Sequence, residues 1–342
     1  MLRIQTEQHL GRDERCIGMT LVQIYNQQKK NLSVIEKELR RSVSSDHPMI
    51  ESAAADLIKA GGKRIRPLLA LLASEYGDPK RQDVIDAAVT LELIHMASLV
   101  HDDVVDNSDL RRGQPTVKAK WDNRFAMFTG DFIFARAIER ISHFENAEAH
   151  RVISKVIRDL SLGEIEQIKQ LFHSEQNLRC YLLRIKRKTA LLMALSCQLG
   201  ALASGCTFML SRRLYYFGYF IGMSFQITDD ILDFTGSEKE LGKPAGSDLR
   251  NGNLTLPTLY AIWANPEIRK KVDSVLSDPE KDDKAWRQVI HDIRFSGAIE
   301  RSEQLSRRYL EKAMKILSDL PDSKRATAAL KEIAAYIGKR RN

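Results

Sequence analysis

Two short runs carry the residue types that could do chemistry. His101-Asp102-Asp103-Val104-Val105-Asp106 and Thr228-Asp229-Asp230-Ile231-Leu232-Asp233 both read Asp-Asp-x-x-Asp. On a helix, residues four apart share a face. Asp102 with Asp106, and Asp229 with Asp233, therefore each present two carboxylates one turn apart. Like charges at that spacing destabilise a helix. A hard divalent cation reverses the sign, because Mg²⁺ takes one or two carboxylates together with substrate phosphates and water. Two facing acidic helices could hold several Mg²⁺ ions against a diphosphate. The competing reading is a pair of solvated helix ends. It fits poorly, since both runs lie inside apolar segments, SLVHDDVVD and MSFQITDDILDF, where an uncompensated carboxylate is costly to desolvate.

A diphosphate also needs cations from the protein. Gly61-Gly62-Lys63-Arg64-Ile65-Arg66-Pro67 gathers three of them at a helix start, where backbone N–H groups and the helix dipole favour anions. Arg111-Arg112-Gly113 follows closely on the first acid run, and Lys243 on the second. Lys186-Arg187-Lys188-Thr189 opens an uncharged stretch. Arginine suits bidentate phosphate contact, and lysine acts as a point charge. Taken singly, each basic run reads as an exposed face. Taken with the acids, they suggest two diphosphates, one bound through metal and one held by Lys and Arg. The excess of 53 basic over 45 acidic residues, net +8, then concerns small phosphates. Composition argues against a nucleic-acid partner, because aromatic residues are only 7% and no aromatic-interleaved basic stripe is present.

The elements that must position these groups are helical. Of 342 residues, 43% are hydrophobic and 29% charged, with 18 glycines and 9 prolines; this is the usage of a folded chain. Apolar residues recur at helical spacing, and no run has the alternating pattern of a strand. Helices are expected at 31–44, 48–60, 67–76, 81–106, 118–142, 146–173, 178–204, 210–234, 255–264, 284–294, 296–318 and 323–338. From Val84 to Val100 the chain is apolar almost all round, broken mainly by Asp86, Glu92 and His95, so this helix should be buried on every side. No linker or low-complexity tract divides the chain. The expected architecture is all-α, a single-domain bundle of many helices around a central apolar cavity. Residues 1–30 are expected to form an N-terminal extension and 31–342 the domain.

Thr189 to Ser211 runs 23 residues without a charge, enough to span ~30 Å of hydrocarbon. It also contains Ser196, Gln198, Gly200, Ser204, Gly205 and Thr207, so it reads as a buried core helix followed by a loop. The first residues lack the apolar core of a secretory peptide. The four cysteines, Cys16, Cys180, Cys197 and Cys206, have no Cys-x-x-Cys spacing and suggest no zinc site. They suit a reducing compartment, and a cytoplasmic location is expected.

GGKRIRP, LELIHMASLVHDDVVD, DLRRG, RKTA, FQITDDILDF and GKPAGSDLRNGNLTLP together resemble the trans-isoprenyl (polyprenyl) diphosphate synthases, from about residue 30 to the end. KAKWDNRFAMFTGD, LGEIEQIK, NLRCYLLRIKRKTALL and YIGKR are most similar to the catalytic component of the two-component heptaprenyl diphosphate synthases of bacilli. The resemblance implies an isoprenoid-synthase fold and Mg²⁺-dependent condensation of isopentenyl diphosphate onto an allylic diphosphate such as farnesyl diphosphate. The implied product is a long all-trans chain, heptaprenyl or else hexaprenyl, for the menaquinone side chain. It implies three Mg²⁺ per active site, a small non-homologous second subunit in a heterodimer, a homodimer for the chain in isolation, and peripheral membrane contact for product release.

Residue by residue, the resemblance puts Asp102 and Asp106 on the metal at the allylic diphosphate, with Asp229 and Asp233 completing the metal cluster. Asp103 and Asp230 belong to the same catalytic motifs. Arg111, Lys188, Thr189, Gln226 and Lys243 would hold the allylic diphosphate, with Lys188 also counted as catalytic. Lys63, Arg66, His95 and Arg112 would hold isopentenyl diphosphate. Ala97 and Ser98, small side chains one turn before Asp102, would leave the product channel open and set chain length. The pattern departs at Asn251-Gly252-Asn253, where many members carry Glu-Gly-Lys, so one lysine contact to the allylic phosphate is missing.

Three rivals remain at this stage. A class I terpene cyclase shares the first motif but usually carries an Asn/Asp…Ser/Thr…Glu second motif. A silent helical partner subunit generally loses aspartates, and all six are present here. An integral-membrane prenyltransferase needs several long apolar spans.

Overall fold

Capping and turn residues divide the chain where periodicity alone would run on. The protein is described by a computed structural model over residues 20–111, 113–236, 244–278, 282–321 and 323–339. Helix α1 is Leu21–Ser42. Thr20 Oγ accepts from Gln23 N at 3.3 Å, and the Gln23 side chain accepts from Thr20 N at 2.7 Å. This reciprocal capping box fixes the start, and Arg40 and Arg41 in the last turn suit the dipole. Helix α2 is Pro48–Lys59, with proline in the first turn. Helix α3 is Ile65–Ser74 and α4 is Gln82–Val105.

After α4 come a two-residue ladder, β1 Leu110–Arg111 with β2 Gln114–Pro115, and the short α5, Val117–Lys120. Helices α6, Asn123–Ser142, and α7, Ala147–Gln170, follow. Helix α8, Leu178–Ile185, runs through a π-turn, Lys186–Ala190, into α9, Leu191–Ala203. Helix α10, Phe208–Thr235, carries the second acid run. The short α11, Ser247–Arg250, precedes α12 Leu256–Ala264, α13 Pro266–Leu276 and α14 Asp283–Arg294. Helices α15, Ala298–Ser318, and α16, Lys324–Lys339, complete the bundle.

Two helical hairpins position the site. Helix α3 folds back on α4, and α9 folds back on α10. The turns of the two hairpins touch: Asp78 N donates to Ser204 O at 2.8 Å. The hairpins also pack directly through α3 and α9, because Gly200 lets the helices meet where a Cβ would strike the Ala70 carbonyl. Gly218 on α10 lies similarly under Met193 O, at 2.6 Å from where its Cβ would be. With both turns at one end, both open ends lie at the other. Asp102 is 102 − 82 = 20 residues along α4, and Asp229 is 229 − 208 = 21 along α10. At ~1.5 Å per residue both sit about 30 Å from the turns, so the two acid runs emerge level with each other.

The core is continuous around α4. Val84, Ala87, Leu91, Leu93 and Val100 are fully buried, and α1, α3, α6 and α9 surround them. Among the described residues α4 alone has the length and hydropathy to cross a bilayer, and 67% of its apolar window is buried inside the bundle; it is a core helix. Residues 189–211 also behave as expected: α9 is buried throughout, and the chain breaks at Ser204–Thr207 before α10.

The sequence expectations miss at identifiable places. The first helix starts at Leu21 rather than 31, and the boundary expected at residue 30 falls inside it, with Ile24 fully buried. The helix expected over 118–142 is cut at Trp121, because Asp122 accepts from Phe125 N at 2.7 Å and caps a new start. Helix α13 was not expected, although Asn265-Pro266 supplies a cap and a first-turn proline. The β1–β2 ladder, turned by Gly113 at φ +73°, is too short for any alternation to show. Cys180, Cys197 and Cys206 are free thiols; Cys16 lies outside the described residues.

Gly200→Ala is expected to lower stability by about 1–3 kcal/mol, the usual cost of overpacking a tight contact. Chemical denaturation measures it; an unchanged midpoint would show that α3 and α9 do not depend on this contact.

Candidate active site

Between Ala87 and Val100, helix α4 is buried except for one stripe. His95, Ser98, Leu99 and Asp102 are partly accessible, while Met96, Ala97, Val100 and Asp103 are buried. The spacing, three and four residues, is one helical face. It leads up to Asp102 and then to Asp106, which caps the helix with its N–H donating to Asp102 O at 2.7 Å. Ser98 Oγ donates to His95 O at 2.9 Å. The neighbouring Ala97 is 1% exposed and faces the core, so the two small residues that the sequence treats as a pair lie on different faces.

The first acid run divides its work. Asp103 turns away and is 2% exposed; its Oδ1 accepts from Arg111 Nε at 2.8 Å and Arg111 Nη2 at 2.7 Å. That ion pair holds β1 against the end of α4. Asp102 faces the cleft, and its carboxyl is pushed up to about 7. Burial is the main cause; Lys188 opposes it, and Glu164 and Asp106 reinforce it. Glu164 is itself raised, by burial first and by Asp106, against Lys188.

The first two aspartates of the second run divide in the same way. Asp229 is partly accessible, and Asp230 is 2% exposed. Asp230 accepts from Tyr181 Oη at 2.7 Å and from Gln226 Nε2 at 2.9 Å. Burial leads the forces that push its carboxyl up to about 7. Gln226 Oε1 accepts in turn from Thr189 Oγ1 at 2.6 Å. Asp233 is buried; it accepts from Ser247 Oγ at 2.9 Å and Asp248 N at 3.2 Å, which ties α10 to the start of α11.

The π-turn connects the two runs. The wider coil sets Lys188 and Thr189 side by side with different partners. Lys188 Nζ donates to Gln167 Oε1 on α7 at 3.0 Å and faces Asp102, while Thr189 bonds the Gln226–Asp230 pair. Glu164 lies one turn before Gln167 on α7. Lys63 is exposed, its Nζ donating to Tyr336 Oη at 2.6 Å, and Arg66 is part-buried in the first turn of α3. Arg112 and Lys243 lie outside the described residues. At Asn251-Gly252-Asn253 the turn closes through its backbone, Asn253 N donating to Asp248 O at 2.8 Å, with Gly252 at φ +79°.

Thus the π-turn links the two runs, Lys188 interacting with Asp102 and Thr189 reaching Asp230 through Gln226, while Asp103 and Asp230 are buried anchors. Tyr181, Glu164 and Gln167 are additions that sequence reasoning missed. The only hint was their place in LGEIEQIK and NLRCYLLRIKRKTALL, stretches noted without any role. Among the described residues no three His, Cys, Asp or Glu side chains form a ready metal cage. Carboxylates that raise one another's proton affinity nevertheless fit a divalent cation, and Mg²⁺ is usually held by one or two carboxylates plus substrate phosphates.

The sequence profile of the polyprenyl synthetase family matches residues 47–293. A curated relative, heptaprenyl diphosphate synthase component 2 of Geobacillus stearothermophilus, is 53% identical over 322 residues, covering 94% of this chain and 99% of the relative. The crystal structure of heptaprenyl diphosphate synthase from Staphylococcus aureus superposes with a TM-score of 0.88 at 39% identity, covering 92% of this chain and 99% of that one. The polyprenyl synthase of Caulobacter crescentus, solved with calcium and isoprenyl diphosphate, gives a TM-score of 0.89 at 31% identity over 96% of this chain and 100% of its own. Two acid-tipped helices brought level by paired hairpins are thus accompanied by family-wide similarity along nearly the whole length, and the chain belongs to the polyprenyl synthetase family.

Proposed function

We propose that this protein is the catalytic component of a two-component heptaprenyl diphosphate synthase, adding isopentenyl diphosphate repeatedly to farnesyl diphosphate to make the menaquinone side chain. The observation that carries it is the accessible stripe of α4, which runs from His95 through Ser98 and Leu99 to the carboxyl of Asp102. Such a stripe suits a charged head group with an apolar tail.

Mg²⁺, three per active site and held by Asp102, Asp106 and Asp229, would supply neutralisation of the departing diphosphate. Asp233 completes that set, its carboxylate oriented by Ser247 and Asp248 with a lone pair still open on each oxygen. Lys188, Thr189, Gln226, Arg111 and Lys243 hold the allylic diphosphate. Asp103 aims Arg111, and Asp230 aims Gln226, so these two aspartates support the head-group contacts from behind. Lys63, Arg66, His95 and Arg112 hold isopentenyl diphosphate. The allylic cation is kept from water by the apolar flanks of α4 and α10. The isopentenyl double bond attacks it, and the proton released passes to the departing diphosphate.

The growing tail runs down the α4 stripe past Ser98 and Leu99. A small second component completes the enzyme, in keeping with the relative's designation as component 2. Peripheral membrane contact would serve release of the apolar product, and the site of action is the cytoplasm.

The direct test is incubation with farnesyl diphosphate, isopentenyl diphosphate and Mg²⁺, with and without the small component, followed by product sizing. Heptaprenyl diphosphate formed efficiently only with both components is expected. A cyclised product, or full activity of the chain alone, would overturn the reading.

Asp102→Ala and Asp229→Ala should each lower turnover by about 10²–10³-fold or more, the scale of lost electrostatic stabilisation, with a thermal melt equal to or above wild type. Near-normal turnover would remove these carboxylates from the metal site. Ser98→Phe should shorten the product while farnesyl diphosphate is still ionised. Ala97→Phe faces the core and should instead cost about 1–3 kcal/mol of stability. Full-length product from a folded Ser98→Phe enzyme would place the chain-length stop elsewhere.

A further inference from the structure

Lys63, Arg64 and Arg66 look equivalent in GGKRIRP, but the structure separates them. Lys63 is exposed, whereas Arg64 is 9% exposed and points into the bundle. Each arm of the Arg64 guanidinium is committed. Nη1 donates to Glu92 at 2.7 Å, Nε to Glu36 at 2.6 Å and Nη2 to Ile58 O at 3.2 Å. Glu92 is 4% exposed in the middle of α4. All three guanidinium nitrogens are bonded to protein groups, and the side chain is buried away from the surface on which Lys63 stands.

The backbone is unusual at the same residue. Arg64 sits at φ 46°, ψ 38°, in the left-handed region that side chains other than glycine seldom occupy. Such a conformation persists only where its surroundings over-determine it. Here the surroundings are the two carboxylates and the Ile58 carbonyl. The consequence is directional: Arg64 turns inward, Lys63 turns outward, and the next residue begins α3 with Arg66 in its first turn. The Lys63 carbonyl also accepts from Tyr25 Oη on α1. Glu92 lies one turn before His95 on α4, so the ion pair fixes this loop relative to the helix that bears His95.

We propose that the buried Arg64–Glu92 ion pair is a positioning device for the isopentenyl diphosphate site: it sets Lys63 and Arg66 opposite His95 and does not itself touch substrate. This rests on the assignment of Lys63, Arg66 and His95 to isopentenyl diphosphate above. A merely structural pair would affect both substrates alike. A positioning pair acts on one, because the allylic head group is held by Lys188, Thr189 and Gln226 on other elements.

Two variants separate the charge from the backbone. Glu92→Gln keeps the shape and removes the carboxylate. Arg64→Gly keeps a residue at ease in the left-handed region and removes the ion pair. Each is assayed with the second component, Mg²⁺, farnesyl diphosphate and isopentenyl diphosphate, below its own melting transition. The expected result is a KM for isopentenyl diphosphate raised about 10–100-fold, the scale of a misplaced binding group, with KM for farnesyl diphosphate and saturated kcat within about twofold. Parallel rises in both KM values would overturn the proposal, as would a normal KM for isopentenyl diphosphate in both variants. Lys63→Ala and Arg66→Ala serve as controls. If they raise KM for isopentenyl diphosphate while the ion-pair variants do not, the positioning role alone fails. If they too leave it unchanged, the site assignment fails and the proposal with it.

Discussion

Everything at the site depends on two helical hairpins having matched heights. Helix α4 and helix α10 each carry their acid run about 30 Å from a hairpin turn, and the turns are pinned together by Asp78 N and Ser204 O. The close approach of α3 to α9 at Gly200 keeps the hairpins from sliding past each other. Interiors packed this tightly transmit small displacements rather than absorbing them. A shift of one helical turn would move one acid run ~5 Å out of line with the other. The glycines and alanines at these contacts therefore matter to the chemistry although they are far from it.

Carboxylates crowded into an apolar bundle are an electrostatic liability, and the structure handles it by division of labour. In each run the second aspartate is buried and gripped by donors: Asp103 through its Oδ1 by Arg111, Asp230 by Tyr181 and Gln226. Asp102, Asp106 and Glu164 crowd one another, and Lys188 opposes their mutual repulsion. A buried charge is tolerable when it is paired and hydrogen-bonded, and each anchor meets that condition by gripping a group that also lines the cleft. Anchoring and head-group recognition thus share the same bonds.

The apolar walls follow from the same geometry. A helix buried on every side has no face to spare for a ligand unless its neighbours leave a gap, and the partly accessible row His95, Ser98, Leu99 and Asp102 marks that gap. The row joins the charged end of the cleft to the interior of the bundle. A substrate with a diphosphate head and a hydrocarbon tail matches that change of environment along one helix.

Sequence by itself settled the class of fold, the central place of the Val84–Val100 helix, and the two acid runs with their cations. These are written in local periodicity and in residue types that have few other uses in an apolar setting. Which aspartate of each run works and which anchors was not legible, because it depends on which neighbour reaches it: Arg111 from β1 for Asp103, Tyr181 from α8 for Asp230. The same holds for Arg64, indistinguishable from Lys63 and Arg66 in the sequence yet turned inward by Glu92 and Glu36 from two other helices. Glu164 and Gln167 were invisible because a helix face acquires meaning only from what packs against it. Local spacing fixed which residues share a face. Only the packing of one helix on another decided which face meets the cleft, since that choice is made by contacts between residues far apart in the chain.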